Sequence, residues 1–127
     1  MARELVSSGP WPDRYTFSPA VRVGNLFFIS GTTAADETGA IVGAGDIVGQ
    51  TRYIYQKFAN ILKAAGAGFE HIVQTTEYIT TTENYRETAA VRREFFTAPF
   101  PTATGVIVKG LLREGALIEI SAIAVLP

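Results

Sequence analysis

One carboxylate in this sequence interrupts a strand that is otherwise almost wholly apolar. Glu119 lies in the stretch 116–126, where residues 118, 120, 122, 124 and 126 are apolar and the alternate positions carry Glu119 and Ser121 among apolar residues. This pattern is typical of a strand inside a sheet that is covered on both faces. An ionised carboxylate is costly there unless it is hydrogen-bonded or lines a wet cleft. Glu119 is therefore the first candidate for chemistry.

The sequence leaves two interpretations of Glu119 open. In the structural one, a backbone amide or a basic neighbour such as Arg113 satisfies the carboxylate near a strand end. In the functional one, Glu119 lines a pocket and transfers protons, a role for which carboxylates in clefts are suited.

The composition excludes several other kinds of chemistry. The 127-residue chain contains no cysteine, which excludes disulfides, cysteine-ligated clusters and thiolate catalysis. Its single histidine, His71, cannot form a histidine cluster and is interpreted as a surface or loop residue. The glycines at 39, 43 and 45 are not followed by the Gly-Lys-Ser/Thr of a phosphate loop. We therefore expect neither a metal nor a cofactor.

Charge and hydropathy limit the possible partners. The net charge is −1 and Lys and Arg do not cluster, which disfavours nucleic acid and anionic membranes as partners. The N-terminus lacks the pattern of a signal peptide, and no apolar stretch approaches the length of a membrane span. We expect a single domain over residues 1–127, in a soluble, cytoplasmic protein that binds a small molecule.

Turn signals and periodicity predict six strands and two helices. Asp46 is a suitable N-cap for a helix over about 47–65, which Gly66 ends. Thr81 or Thr82 is a candidate cap for a second helix over about 83–96, whose arginines at 86, 92 and 93 are interpreted as a solvated face or a rim between subunits. The predicted strands cover residues 2–7, 20–23, 26–31, 72–80, 104–109 and 116–126.

Two helices can cover one face of a single sheet. The strands at 26–31 and 116–126 are apolar on both faces, so a monomer would leave apolar area in water, at about 25 cal/mol per Å². We therefore expect the second face to be buried against other subunits.

Several separated segments together resemble the Rid/YjgF family, whose older description is endoribonuclease L-PSP. The resemblance covers nearly the whole chain and rests on segments in family order and spacing: 21–31, 61–66, 95–96, 100–101 and 118–124. It implies an α+β, chorismate-mutase-like subunit in which two helices cover one face of a mixed sheet. It also implies a homotrimer whose sheets form a central barrel, with a cleft between each pair of neighbouring subunits.

The resemblance implies a pocket from which this chain departs at three positions. Family members clamp a substrate carboxylate with an arginine two residues after the Phe-Pro proline, where this chain has Ala103. A family tyrosine corresponds to Phe17, and a family asparagine on the second helix corresponds to Ala89. The positions that keep the family pattern are Ser30, Gly31, Thr104 and Glu119, and the resemblance implies that Glu119 orients or activates water.

The resemblance is compatible with three functions. Well-known family members hydrolyse reactive enamines and imines such as 2-aminoacrylate. The first hypothesis is a hydrolase or deaminase of a small C–N compound that is not an efficient 2-imino-acid deaminase, because the arginine clamp is absent. The second is a non-catalytic trimer that binds a metabolite or regulates a partner. Ribonuclease activity is the weakest hypothesis, since the sequence has neither a basic groove nor a histidine pair.

Overall fold

Six strands form one mixed sheet, and two helices pack against one of its faces. The structure, a computed structural model, describes residues 2–127. The helices are α1 (Ile47–Ala64) and α2 (Thr88–Phe95), and 3-10 turns cover Phe69–His71 and Tyr85–Glu87. The strands are β1 (Glu4–Val6), β2 (Ala20–Val23), β3 (Leu26–Thr32), β4 (Ile72–Ile79), β5 (Thr102–Ile107) and β6 (Ile118–Val125).

The last strand is central, as its two-sided apolar pattern predicts. The strand order is β1-β2-β3-β6-β4-β5, in which β4 and β5 are parallel and all other neighbours are antiparallel. The predicted α+β class, with two helices and a mixed sheet, is confirmed. Strand β6 therefore holds Glu119 between two hydrogen-bonded neighbours, β3 and β4.

The core lies between the helices and the even-numbered face of β6. Ile118, Ile120 and Ala124 of this face are 0% exposed. Helix α1 packs against the sheet with the stripe predicted from its spacing, and Ile54, Phe58 and Leu62 are all fully buried. The two helices therefore cover this face of the sheet.

The opposite face of the sheet carries no helix. Leu26, Phe28 and Val125 lie on it and are 42%, 43% and 37% exposed. Phe28 pairs with Ile123, and Leu26 pairs with Val125, so these side chains form a continuous apolar surface. We call this helix-free side the open face.

Helix α1 begins where Asp46 predicts. The Asp46 carboxylate accepts a hydrogen bond from the Gly49 amide at 3.0 Å, and the chain leaves the helix through Gly66 at φ +72°. No helix formed by residues 2–127 combines the length and the apolar character that crossing a membrane requires.

The second helix begins later than the sequence predicts. Asn84 has φ 59°, in the left-handed region, and a 3-10 turn over 85–87 precedes α2. Thr81 accepts a hydrogen bond from the Glu83 amide at 3.1 Å, so it closes a local turn and does not cap the helix. The prediction of a helix from residue 83 capped by Thr81 or Thr82 is therefore wrong, because the left-handed residue interrupts the helical path.

Candidate functional site

Glu119 lines a cavity of about 420 Å³ on the open face. Strands β3, β4 and β6 form its floor, and the segment after β5 forms its wall. The lining residues are Gly31, Tyr78, Val108, Gly110, Leu111, Leu112, Glu119 and Ser121. Apart from glutamate, tyrosine and serine, these residues are apolar or glycine, and none carries a positive charge.

The Glu119 carboxylate has no protein partner among residues 2–127. The ion pairs in this range involve Glu70, Glu77 and Glu94. Arg113, the neighbour that could have neutralised Glu119, instead donates a hydrogen bond to the Gly39 carbonyl at 3.5 Å. The structural interpretation that paired Glu119 with Arg113 is therefore wrong. The carboxylate is free to accept a hydrogen bond from a ligand or a water.

Gly31 makes room for this carboxylate. The pairing of β3 with β6 shifts between Ile29 and Thr32, so that Ser30 and Gly31 form a bulge beside Glu119. A Cβ atom at Gly31 would lie 2.6 Å from Oε2 of Glu119. The missing side chain thus lets the carboxylate lie directly against the backbone of β3.

Two polar side chains of α1 fix the strands that carry the site. Lys57 donates hydrogen bonds to Oγ1 of Thr32 and to the carbonyls of Thr33 and Ala35, at 2.7, 2.9 and 3.0 Å, and so anchors the end of β3. Burial, and then the positive charge of Arg113, lower the pKa of Lys57.

Gln50 is the second of these anchors, and it fixes the start of β6. Its Oε1 accepts a hydrogen bond from the Leu117 amide at 2.8 Å, and its Nε2 donates to the carbonyls of Gly43 and Gly115 at 3.0 and 3.2 Å. Gln50 is 0% exposed, so its side-chain amide, and not water, satisfies these backbone groups at the turn that leads to Glu119.

The other predicted site residues of the first hairpin lie apart from the cavity. Phe17 lines a second cavity of about 530 Å³, where its ring lies 5.3 Å from Trp11 and 5.6 Å from Tyr15, measured between centroids. The Ser30 hydroxyl donates to the Ser18 carbonyl at 2.6 Å, which ties β3 to the segment that carries Phe17.

The predicted residues of β5 and α2 do not meet Glu119 in the folded chain. Thr104 is the register partner of Thr76 and shares the open face with Glu119, whereas Ala103 pairs with the buried Thr75 and points to the other face. Ala89 lies on α2, on the helix side of the sheet. Of the seven predicted residues, the fold brings Gly31 and Glu119 together at the cavity; the roles of all seven stay predictions.

Tyr78 and Ser121 line the cavity but are not among the site residues that the sequence predicts. Tyr78 is the register partner of Glu119, and Ser121 follows Glu119 on the same face of β6. The period of two along β6 places Ser121 on the same face as Glu119, so the sequence alone could have indicated Ser121. Tyr78 could not be found in this way, because its place opposite Glu119 depends on the pairing of strands distant in sequence.

A second cluster of ionisable groups lies on the helix side of β4. Glu77, 2% exposed, accepts hydrogen bonds from Tyr85 and, at 3.4 Å, from Tyr55, and it pairs with Arg92 at 3.3 Å. The interpretation of Arg92 as part of a solvated face is wrong, because Arg92 neutralises this buried carboxylate. Tyr85 also lies over Gly105 of β5, where a Cβ atom would be 3.2 Å from its hydroxyl.

The Glu77 cluster should make stability fall at alkaline pH. Burial, and then the hydrogen bond to Glu77, raise the pKa of Tyr85 from 10.0 to about 12. A raised folded-state pKa gives stability that is complete below the unfolded pKa, so this contribution is lost as pH rises from 10 to about 12. We expect the free energy of unfolding, measured with urea between pH 9 and 12, to fall less steeply in Tyr85→Phe than in the wild type. Tyr15→Phe, at an exposed ring, is the matched control, and equal slopes in all three proteins would contradict the expectation.

Residues 2–127 contain no group of three or more His, Asp or Glu side chains placed to hold a metal ion. The polar side chains that line the 420 Å³ cavity are one carboxylate, that of Glu119, and two hydroxyls, those of Tyr78 and Ser121.

Comparison with known proteins identifies relatives over nearly the whole chain. The family model for endoribonuclease L-PSP matches residues 12–126. A RutC family protein of Pyrococcus abyssi is 34% identical over 126 residues, covering 98% of each chain. The 3-aminoacrylate deaminase RutC of Acinetobacter baylyi is 29% identical over 125 residues, again covering 98% of each. RidA from the Antarctic bacterium Psychrobacter sp. superposes with a TM-score of 0.85 at 25% identity, covering 98% of this chain and 100% of that one.

Proposed function

Because the chain belongs to the endoribonuclease L-PSP family, which includes Rid and RutC proteins, we propose that it hydrolyses a small, reactive C–N compound in the Glu119 cavity. The substrate class is an enamine, an imine or a related compound. The observation that carries this proposal is the free Glu119 carboxylate in a cavity whose lining has no cation.

The charge of the cavity favours substrates without a carboxylate. An anionic substrate needs a cation or several amide donors to offset its repulsion by Glu119. The lining supplies two side-chain hydroxyls and apolar surface from Val108, Leu111 and Leu112. A protonated imine, or an enamine with an N–H group, instead donates a hydrogen bond that Glu119 can accept, and a neutral imine brings no charge that Glu119 repels. Glu119 then acts as the general base that takes a proton from the attacking water.

We propose that the working form is a homotrimer in which the open faces pack together. The exposed Leu26, Phe28 and Val125 supply apolar surface for this contact. Phe17 lies in a separate cavity of the same subunit, and Ala103 points away from the open face, so neither reaches the Glu119 cavity of its own subunit. In the proposed trimer, a cleft between subunits brings Phe17 and the edge strand β5, which carries Ala103, to a neighbouring Glu119 cavity.

The proposal predicts poor hydrolysis of 2-imino acids. A charge-assisted contact contributes about 1.5–3 kcal/mol, so we expect the missing arginine to lower the rate or affinity about 10- to 100-fold relative to an enzyme that has it. The measurement is ketoacid release from imines that an amino-acid oxidase generates in situ. It is compared with the release of aldehyde or ketone from carboxylate-free imines that an amine oxidase generates.

The Ala103→Arg variant tests the reason for this preference. It should gain 2-imino-acid hydrolysis, and Glu119→Gln in the same background should remove the gain. Ala103→Gln is the control that adds length without charge. Efficient hydrolysis of 2-imino acids by the wild type would contradict the proposal.

A binding protein without turnover is the alternative function. The apolar wall at Leu111 and Leu112 favours it, since Leu112 is fully exposed in one subunit and is available to cover a ligand. A metabolite that raises the melting temperature of the wild type but is not converted would support this alternative.

A further inference from the structure

Tyr78 places a phenol directly opposite the Glu119 carboxylate. The two residues are Cα partners in the antiparallel pair of β4 and β6, and both line the 420 Å³ cavity. Directly opposed residues on one face of a sheet have Cβ atoms about 4.5–5.5 Å apart. A small ligand in the cavity can therefore contact both side chains at once.

The Tyr78 hydroxyl is available to a ligand. Within residues 2–127, the hydroxyls of Tyr55 and Tyr85 donate to Glu77, and that of Tyr15 accepts a hydrogen bond from Arg14. The hydroxyls of Tyr53 and Tyr78 make no hydrogen bond there, and of these two residues Tyr78 lines the cavity. Tyr78 lies on the open face and so is separated by the sheet from the Glu77 cluster. Its hydroxyl serves no evident purpose in the fold.

Hydrolysis of a C–N bond also needs a proton donor for the nitrogen. The Glu119 carboxylate cannot donate that proton while it accepts one from water. An ionised carboxylate only accepts hydrogen bonds, and the lining contains no Lys, Arg or His. The side-chain donors that remain are the hydroxyls of Tyr78 and Ser121. A tyrosine phenol is more acidic than a serine hydroxyl, and it reaches further from the strand.

We propose that Tyr78 is a catalytic residue that donates a proton to the substrate nitrogen while Glu119 accepts one from water; this role rests on the proposed function. In the first step Glu119 takes a proton from water, the C–O bond forms, and the π pair of the C=N bond moves to nitrogen. Nitrogen takes the Tyr78 proton, and the protonated Glu119 restores it to the phenolate.

The second step repeats these roles at the tetrahedral carbinolamine. Glu119 takes the hydroxyl proton, the C=O bond forms and the C–N bond breaks. The amine leaves with the bonding pair and takes the proton of Tyr78, which Glu119 again restores. The net reaction adds one water to the imine and releases a carbonyl compound and an amine, with both residues returned to their starting states.

The test uses leaving amines of different basicity. The probes are the N-benzylidene imines of ethylamine, 2-methoxyethylamine and 2,2,2-trifluoroethylamine, whose hydrolysis is followed by ultraviolet absorbance. We expect Tyr78→Phe to lower kcat for the ethylamine imine about 100-fold, with KM within about threefold. The loss should be at least about tenfold smaller for the trifluoroethylamine imine, because a weakly basic amine departs with less help from an acid.

The control variant is Tyr53→Phe, which removes a hydroxyl from α1 outside the cavity lining and should leave all three rates unchanged. An equal loss for the three imines would assign Tyr78 a structural role and overturn the proposal. If Glu119→Gln abolishes turnover but Tyr78→Phe does not alter kcat, the proposed function stands and the role of Tyr78 falls. If the wild type hydrolyses none of the three imines, both fall.

Discussion

Replacing Ile120 by glutamate is expected to destabilise the fold severely. Ile120 is 0% exposed and lies on the face of β6 that α1 covers. The variant loses the burial of an isoleucine, worth about 1.5–3 kcal/mol, and places an unpaired carboxylate in the core. We expect the free energy of unfolding to fall by more than about 4 kcal/mol, a large part of the 5–15 kcal/mol typical of a domain. Circular dichroism with urea unfolding measures this effect.

The same substitution at Ile123 should have a different result. Ile123 lies three residues further along β6, on the open face, and is partly exposed in one subunit. A charge there can remain in water, so Ile123→Glu should fold but weaken the trimer. Sedimentation velocity at micromolar concentration distinguishes the outcomes, and Ile120→Val, which costs about 0.5–1.5 kcal/mol, controls for loss of packing alone. A wild type that sediments as a monomer, or an Ile123→Glu variant that remains a trimer, would contradict the proposed assembly.

Replacing Glu119 by glutamine is expected to remove nearly all turnover without disturbing the fold. The carboxylate has no protein partner within residues 2–127, so the free energy of unfolding should change by less than about 0.5 kcal/mol. A missing general base lowers kcat by about 10²- to 10⁴-fold. Initial rates on the carboxylate-free imines, together with thermal unfolding, separate the two effects.

Two further variants test whether the position of the carboxylate matters. Glu119→Asp keeps the charge but withdraws it from the cavity by one methylene, and should retain more activity than Glu119→Gln. Gly31→Ala keeps the carboxylate and adds a Cβ that would lie 2.6 Å from its Oε2, so the flexible glutamate must move. We expect Gly31→Ala to lower kcat with little change in stability. Full activity in Glu119→Gln would show that another group activates the water.

The elements of this chain could be predicted where local pattern decides them. The apolar residues on both faces of 118–125 predicted a central strand, and the capping residue Asp46 predicted the start of α1, because burial and capping depend on near neighbours in sequence. The second helix was placed too early because the left-handed conformation of Asn84 interrupts it. Nothing in the helical spacing of that segment signals such an interruption.

The charged residues show the limit of sequence patterns more clearly. A pattern that assigns arginine to the surface cannot show that Arg92 neutralises the buried Glu77, because the two residues belong to different elements that meet only in the folded chain. The sequence likewise identified Glu119 as an anomaly but could not decide between a satisfied carboxylate and a free one.

The sequence by itself determined the six strands, the family and the candidate carboxylate, since these follow from periodicity and motifs along the chain. The tertiary structure alone decided that Arg113 bonds elsewhere, that Gly31 makes room for the carboxylate, and that Tyr78 stands opposite it. The physical reason is strand register: a shift of one residue in the β4–β6 pairing would turn Tyr78 to the other face of the sheet. That register is fixed by packing between distant segments of the chain.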